Sequence, residues 1–178
     1  THYSLNGTYR WGIVPIIKNL EYNTAEGLVV NSAFYFEKYL SGKKQKLTIR
    51  PNLRYGVSNY HLNSWIDIVL QARDIDLHEK LRRHSWSFSG GKRVSQFNKE
   101  STISPLLNSI NTLFFGNNFM KTYENIFANV GYSKKFESGL QLGVNALYED
   151  RLPLLNTTRY TFFKKDAIFL TPNYPYEK

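Results

Sequence analysis

Glu149, Asp150 and Arg151 follow one another near the end of a long alternating segment, and no other cluster in the sequence comes closer to a chemical device. In a strand, Glu149 and Arg151 project to the same side, so the expected arrangement is a carboxylate–guanidinium ladder on a polar face. A glycosidase-type pair would need a second acid about 5–10 Å away. The other acids considered, Asp67, Asp74, Asp76 and Glu124, are too scattered in sequence to be placed there. The four histidines, His2, His61, His78 and His84, show no metal-ligand spacing. Ser89-Gly90-Gly91-Lys92 lacks the spacing of a phosphate loop and reads as a turn or bulge. With no cysteine in the chain, thiolate nucleophiles, thiolate metal sites and disulfides are excluded. The expectation is therefore a non-enzymatic chain with no catalytic, cofactor-binding or metal-binding residues.

What would position these residues is a set of strands. From Gln45 to Ser58, Leu47, Ile49, Pro51, Leu53, Tyr55 and Val57 alternate with Thr48, Arg50, Asn52, Arg54, Gly56 and Ser58. That is a period of two over a dozen residues, and a helix would spread the same apolar groups around its circumference. The run 26–39 reads similarly and pairs with it as a hairpin across Ser41-Gly42-Lys43-Lys44. Segments 62–71, 81–97, 122–133 and 140–149 alternate as well, 137–139 reads as a turn, and 73–80 reads as an exposed charged connection. With 9–17 and 160–170, about eight strands are expected. Between 99 and 118 the rhythm changes. Ile103, Leu106, Leu107, Ile110, Leu113 and Phe114 recur every three or four residues after Ser104-Pro105, which predicts a short amphipathic helix, cap-like or plug-like, over 103–114.

The strands look longer than the usual ~5–6 residues and long enough for the ~9–11 that cross a bilayer. Their polar sides carry Arg50, Asn52, Arg54, Asn145, Glu149 and Arg151, as a wet lumen would require. Tyr39, Tyr55, Tyr60, Trp65, Phe136 and Tyr148 stand near strand ends, where an interfacial aromatic girdle belongs. A mean hydropathy of −0.44 excludes a helical membrane bundle but suits half-polar strands. The formal charge of +9 is spread over turns, strand ends and the polar face. Arg50 and Arg54 share their face with Thr, Asn and Gly rather than with rings, so a nucleic-acid surface is not expected. In a lumen the two arginines would favour anionic solutes. Alternation reports that one face is dry, not which one, so a soluble ligand-binding barrel and a basic nucleic-acid-binding β-domain remain as alternatives.

The stretches YNTAEGLVV (22–30), LRYGVSN (53–59), SGGKRVSQFN (89–98), NSINTLFFGNNFMKTYEN (108–125), ALYEDRLPLLNTTRYTF (146–162) and TPNYP (171–175) resemble the uncharacterised outer-membrane proteins of Bacteroidota. Members of that family join an N-terminal carboxypeptidase regulatory-like domain to a C-terminal β-barrel. The resemblance implies an antiparallel transmembrane β-barrel, or an arc of one, in the outer membrane of a Gram-negative cell. The implied role is structural, or in transport or assembly. The implied partners are the bilayer, lipopolysaccharide, and the remaining strands of the barrel or other outer-membrane proteins. It implies no reaction and no cofactor. Residues 1–178 are accordingly expected to be one internal segment of a longer chain, with 99–118 as an insertion; a first residue of Thr1 and the absence of a leader-like start carry the same expectation.

Overall fold

A computed structural model describes residues 2–5, 9–15, 19–40, 44–75, 81–100, 102–163 and 173. Side chains within 2–5, 73–75 and 81–82 are not described. Among the described residues the chain is a single antiparallel sheet with one helical insertion. The strands are β1 (His2–Leu5), β2 (Tyr9–Ile13), β3 (Leu20–Asn23), β4 (Gly27–Leu40), β5 (Gln45–Gly56), β6 (Leu62–Ile75), β7 (Leu81–Gln96), β8 (Thr122–Lys135) and β9 (Gln141–Pro153). Their order is β1-β2-β4-β5-β6-β7-β8-β9. β2 and β3 share the outer edge of β4, β3 pairing its first residues and β2 its last. Among the described residues β9 pairs only with β8, so the sheet is not closed on itself. The helix α1 (Pro105–Ile110) continues as a wider turn of π-type helix over Asn111–Phe115 and stops at Gly116 with φ 70°.

The expected hairpin of 26–39 with 45–58 is present, as are strands over 62–71, 81–97, 122–133 and 140–149. The 137–139 turn closes with Phe136 N–H donating to the Leu140 carbonyl at 2.8 Å and Gly139 at φ 85°. Two expectations change. The 73–80 connection is shorter than read, because β6 runs to Ile75; its remainder, 76–80, lies outside the described residues. The expected strand 160–170 does not begin in its described part, 160–163, and 164–170 lies outside, as do 16–18 of the first strand and 41–43 of the first turn. Two short strands, β1 and β3, were not read from the sequence because four residues give too little alternation to recognise.

The register settles which residues share a face. Asn52, Trp65, Gly91, Phe127 and Glu149 lie in one row across β5 to β9, and Thr48, Val69, Ser87, Gly131 and Asn145 lie in another. The opposite side carries Leu53, Tyr55, Ile66, Trp86, Phe88, Ile126, Val130, Leu142, Val144 and Tyr148. All of these apolar residues are exposed. Burial is concentrated at one end, and most of the side chains buried there are polar. There the 24–26 turn, the 57–61 turn, the 97–121 connection and the segment after β9 gather over the strands. Hydrogen bonds tie them together: Thr157 N–H to the Thr24 carbonyl at 2.8 Å, Phe162 N–H to the Leu113 carbonyl at 2.7 Å, and Tyr22 Oη to the Tyr160 carbonyl at 2.9 Å. The buried apolar groups Tyr22, Ala25, Val29, Met120, Tyr123, Phe127 and Leu154 all sit at this capped end, among a larger set of buried polar ones.

The helix is inverted in the same sense. Leu106, Leu107, Ile110 and Phe114 face out, while Asn108, Ser109 and Thr112 are buried. Asn108 explains the preference: its amide donates to Asn118 Oδ1 at 2.7 Å, and its Oδ1 accepts from the Phe119 and Met120 N–H groups at 3.0 Å each. Ser109 Oγ accepts the Tyr22 N–H at 2.7 Å, which fixes the helix to β3 at the margin of the sheet. The side chain of a buried Asn, donating once and accepting twice, substitutes here for the apolar contacts a helix usually makes.

Candidate functional site

The capped end holds three carboxylate centres, each built by residues far apart in sequence. The first begins with the turn after β3. Asn23 Oδ1 accepts from the Ala25 and Glu26 N–H groups at 2.9 and 2.8 Å, an Asx turn, and Gly27 follows at φ 71°. That geometry aims the fully buried Glu26 back at Arg54 of β5. Arg54 Nε donates to Glu26 Oε1 at 2.9 Å and Nη2 to Oε2 at 2.6 Å, a two-pronged pairing. Its Nη1 donates to Glu21 Oε2 at 2.9 Å and to Asn31 Oδ1 at 3.2 Å. Asn31 in turn donates to the other oxygen of Glu21 at 3.0 Å, and Asn23 to Glu26 at 3.0 Å. One cation thus meets the fully buried Glu26 and the half-buried Glu21, with each of its three nitrogens engaged. Four of its five N–H groups are engaged within the fold.

The second centre forms where β6 and β7 part. Their pairing ends at Trp65 opposite Gly91, while β7 stays paired with β8 as far as Gln96. Gly91 adopts φ 137°, and a Cβ there would press on the Ser64 carbonyl and come within 2.6 Å of Trp65 Cα. The glycine pair read from the sequence as a bulge or close approach is therefore a close approach. Beyond it, Glu124 of β8 receives His61 Nδ1 at 2.7 Å, Asn63 Nδ2 at 3.1 Å and Lys92 Nζ at 2.8 Å. Glu124 is 3 % exposed, so its charge is matched by Lys92 inside the fold rather than by water.

The third centre is the Glu149 cluster picked out by sequence. Lys99 Nζ lies 2.8 Å from Glu149 Oε2 and 2.9 Å from Oε1. Asn125 donates to Oε1 at 2.8 Å, Arg151 Nη2 to Oε2 at 3.2 Å, and Arg93 Nη2 stands 3.5 Å away. The ladder of Glu149 with Arg151 is thus real, and it is wider than expected. Arg93 also lies over the Phe127 ring at 3.8 Å and Arg151 over Tyr123 at 4.9 Å. Lys99, in the connection outside the strands, is held above its ordinary pKa, first by its bond to Glu149.

The six residues expected on a common polar face, Arg50, Asn52, Arg54, Asn145, Glu149 and Arg151, do share one by register. They do not form one site. Arg54 and Glu149 belong to different centres at the capped end, Arg50 and Asn52 lie mid-sheet, and Asn145 is exposed further along β9. Among the expected interfacial aromatics, Tyr55 and Tyr148 are on the apolar face and Tyr60 projects from its turn, 77 % exposed. Trp65 and Tyr39 are on the polar face instead, opposite Asn52 and Lys46. Phe136 follows β8 directly and lies under Lys134 at 4.9 Å. His61, set aside by spacing alone, and Glu21 and Glu26 are the residues that sequence reasoning did not assign. Among the described residues no three His, Cys, Asp or Glu side chains are placed to hold a metal, and no helix is long and apolar enough to cross a membrane.

Neither a carboxylate pair across an open cleft nor a nucleophile beside a base occurs in these three centres. Each acid is already neutralised by a cation within 3 Å. A family model for the C-terminal domain of a family of unknown function (DUF5686) matches residues 1–178. No curated protein and no solved structure matches the chain.

Proposed function

The chain belongs to the DUF5686 C-terminal domain family, and on that premise we propose that it is a non-enzymatic arc of an outer-membrane β-barrel. Its role is structural, or in transport or assembly, at the Gram-negative cell envelope, with lipid and lipopolysaccharide against its apolar face and further strands of the barrel against its open edges. The proposal includes the finer resemblance read from the sequence, to Bacteroidota proteins that carry a carboxypeptidase regulatory-like domain ahead of the barrel. That domain name describes a small sandwich and implies no peptidase activity.

One observation carries the reading: the sheet is inside out for a water-soluble protein. Its exposed face carries large apolar side chains in β2 and in every strand from β4 to β9, while its buried groups are mostly polar or charged. A soluble barrel keeps the dry face inward, whereas a lipid-facing barrel reverses it. Strand length agrees. β4 to β9 have 12 to 16 residues. At ~3.3 Å per residue and a tilt near 45°, that is a rise of roughly 28–37 Å, enough for the ~25–30 Å apolar layer. The basic side chains do not favour nucleic acid, because the aromatics of the apolar face are separated from the arginines of the other.

Reconstitution tests the proposal. The purified chain is expected to stay dispersed only in detergent or bilayers and to insert into liposomes as antiparallel sheet. Monodisperse behaviour in plain buffer would overturn the reading in favour of a soluble β-domain, and salt-dependent retention on an oligonucleotide column would move it to a nucleic-acid-binding one.

A further inference from the structure

The sequence offered Arg50 and Arg54 together as groups for an anionic solute. The structure separates them. Arg54 is consumed by Glu21 and Glu26. Arg50 stays exposed on the polar face, and the residue that joins it is Arg10 of β2. Both line one cavity of about 510 Å³ between β2, β4, β5 and β6, with Tyr35, Glu37, Asn52 and Asp67 in its wall. Neither guanidinium makes a hydrogen bond or ion pair among the described residues.

The acids in the wall are otherwise engaged. Glu37 lies opposite Arg10 across β2 and β4, yet its carboxylate is held by Lys46 at 2.8 Å. Asp67 lies opposite Arg50, yet its Oδ2 accepts from Asn52 Nδ2 at 3.0 Å. With Lys46 included, three cations face two carboxylates, and the two cations without partners are the two that present planar forks. A guanidinium fork matches the paired oxygens of a carboxylate or phosphate. We propose that this cavity is a binding site for a small multivalent oxyanion, of carboxylate or phosphate type, clamped between Arg10 and Arg50. The contrast with the capped end supports it: there Arg54, Arg93, Arg151, Lys92 and Lys99 each have a carboxylate, and here two guanidiniums share a concave wall of suitable size with none among the described residues. The site lies on the face read above as a lumen, but its occupancy does not depend on that reading.

The test is calorimetric titration of the folded chain in detergent with citrate at low salt. Saturable binding is expected, weakened at least tenfold in Arg10→Gln/Arg50→Gln and partly retained in Arg10→Lys/Arg50→Lys, which keeps the charge and loses the fork. Lys44→Gln/Arg159→Gln removes the same charge from exposed positions outside the cavity and is expected to bind within twofold of the parent. Equal weakening in both glutamine pairs would reduce the effect to net charge and overturn the site, as would citrate binding that survives in Arg10→Gln/Arg50→Gln. Since both arginines are exposed and unpartnered, the variants are expected to unfold at the parental denaturant midpoint. Should the pair fail to fold, Arg10→Gln alone gives the same comparison. The readout uses no bilayer, so a failed titration and a failed insertion are separate results.

Discussion

The two faces of this sheet obey opposite rules. On one, side chains that water excludes are exposed from strand to strand; on the other, side chains that water favours are buried and paired. Asn52 and Leu53 are neighbours in β5, and the difference between them is only the pleat. Leu53 is 41 % exposed on the apolar side, and one residue later Arg54 is 9 % exposed on the other. In water the arrangement would leave a large apolar surface unburied. Next to lipid the same surface costs nothing, and the fold must then be specified by what it encloses. At the capped end the fold encloses three carboxylate centres, two on the polar face and the Glu124–Lys92 one, by register, on the side of Ile126 and Val130, so polar pairing holds this end together where an apolar core holds others.

The sharpest way to break that comparison is at Arg54. Arg54→Leu leaves Glu26 buried without its partner and is expected to cost about 3–5 kcal/mol, read as a lowered urea midpoint in detergent. Arg50→Leu, on the same face four residues earlier, is expected to leave the midpoint nearly unchanged. If the two changes are equally mild, the polar network is not the core. Next is a charge on the apolar side. Val130→Arg in mid-β8 is expected to destabilise the bilayer-inserted chain by about 2–4 kcal/mol, while Asn145→Arg on the polar face is not; in a water-soluble protein the first change would be harmless or would improve solubility. Gly91→Ala comes third, at roughly 1–3 kcal/mol. It imposes φ 137° on a residue with a side chain and crowds Trp65, loosening the place where β6 and β7 part. The smallest effect belongs to Lys99. Its pKa is raised from 10.5, so its contribution is present below that value and fades as pH rises through the folded value. A slight fall in thermal midpoint at strongly alkaline pH, absent in Lys99→Met, is the expected signature.

Much of the sheet was legible because alternation is a local signal. Leu47 to Val57 declares its two faces in one strand, and the register then carries the same division to Asn145, Glu149 and Arg151. The misplaced aromatics show where reading stopped short. Trp65 was taken by its nearness to a strand end, yet its parity with Asn63 and Asp67, rather than with Leu62 and Ile66, already put it on the polar side. The helix was legible by period, but period cannot tell which stripe is buried. Its Asn108, Ser109 and Thr112 are inside because β3 and the 116–120 segment offer them partners. Least legible was the network. Glu26 meets Arg54 across 28 positions and His61 meets Glu124 across 63, and no spacing rule reaches so far. Several of the short stretches that carry the family resemblance contribute residues to this capped end. Asn23, Glu26, Arg54, Lys92, Asn108 and Glu149 all come from them.

The account stands most directly on which face meets lipid, and the three tryptophans can report it. Trp86 and Trp11 lie on the exposed apolar face and Trp65 on the polar one. Single-tryptophan versions, made with Phe at the other two positions, can be inserted in bilayers whose acyl chains carry bromine. Strong quenching of Trp86 with little quenching of Trp65 is the predicted result. Equal quenching of the two, or quenching of Trp65 alone, would contradict the assignment of the faces and with it the proposed barrel arc.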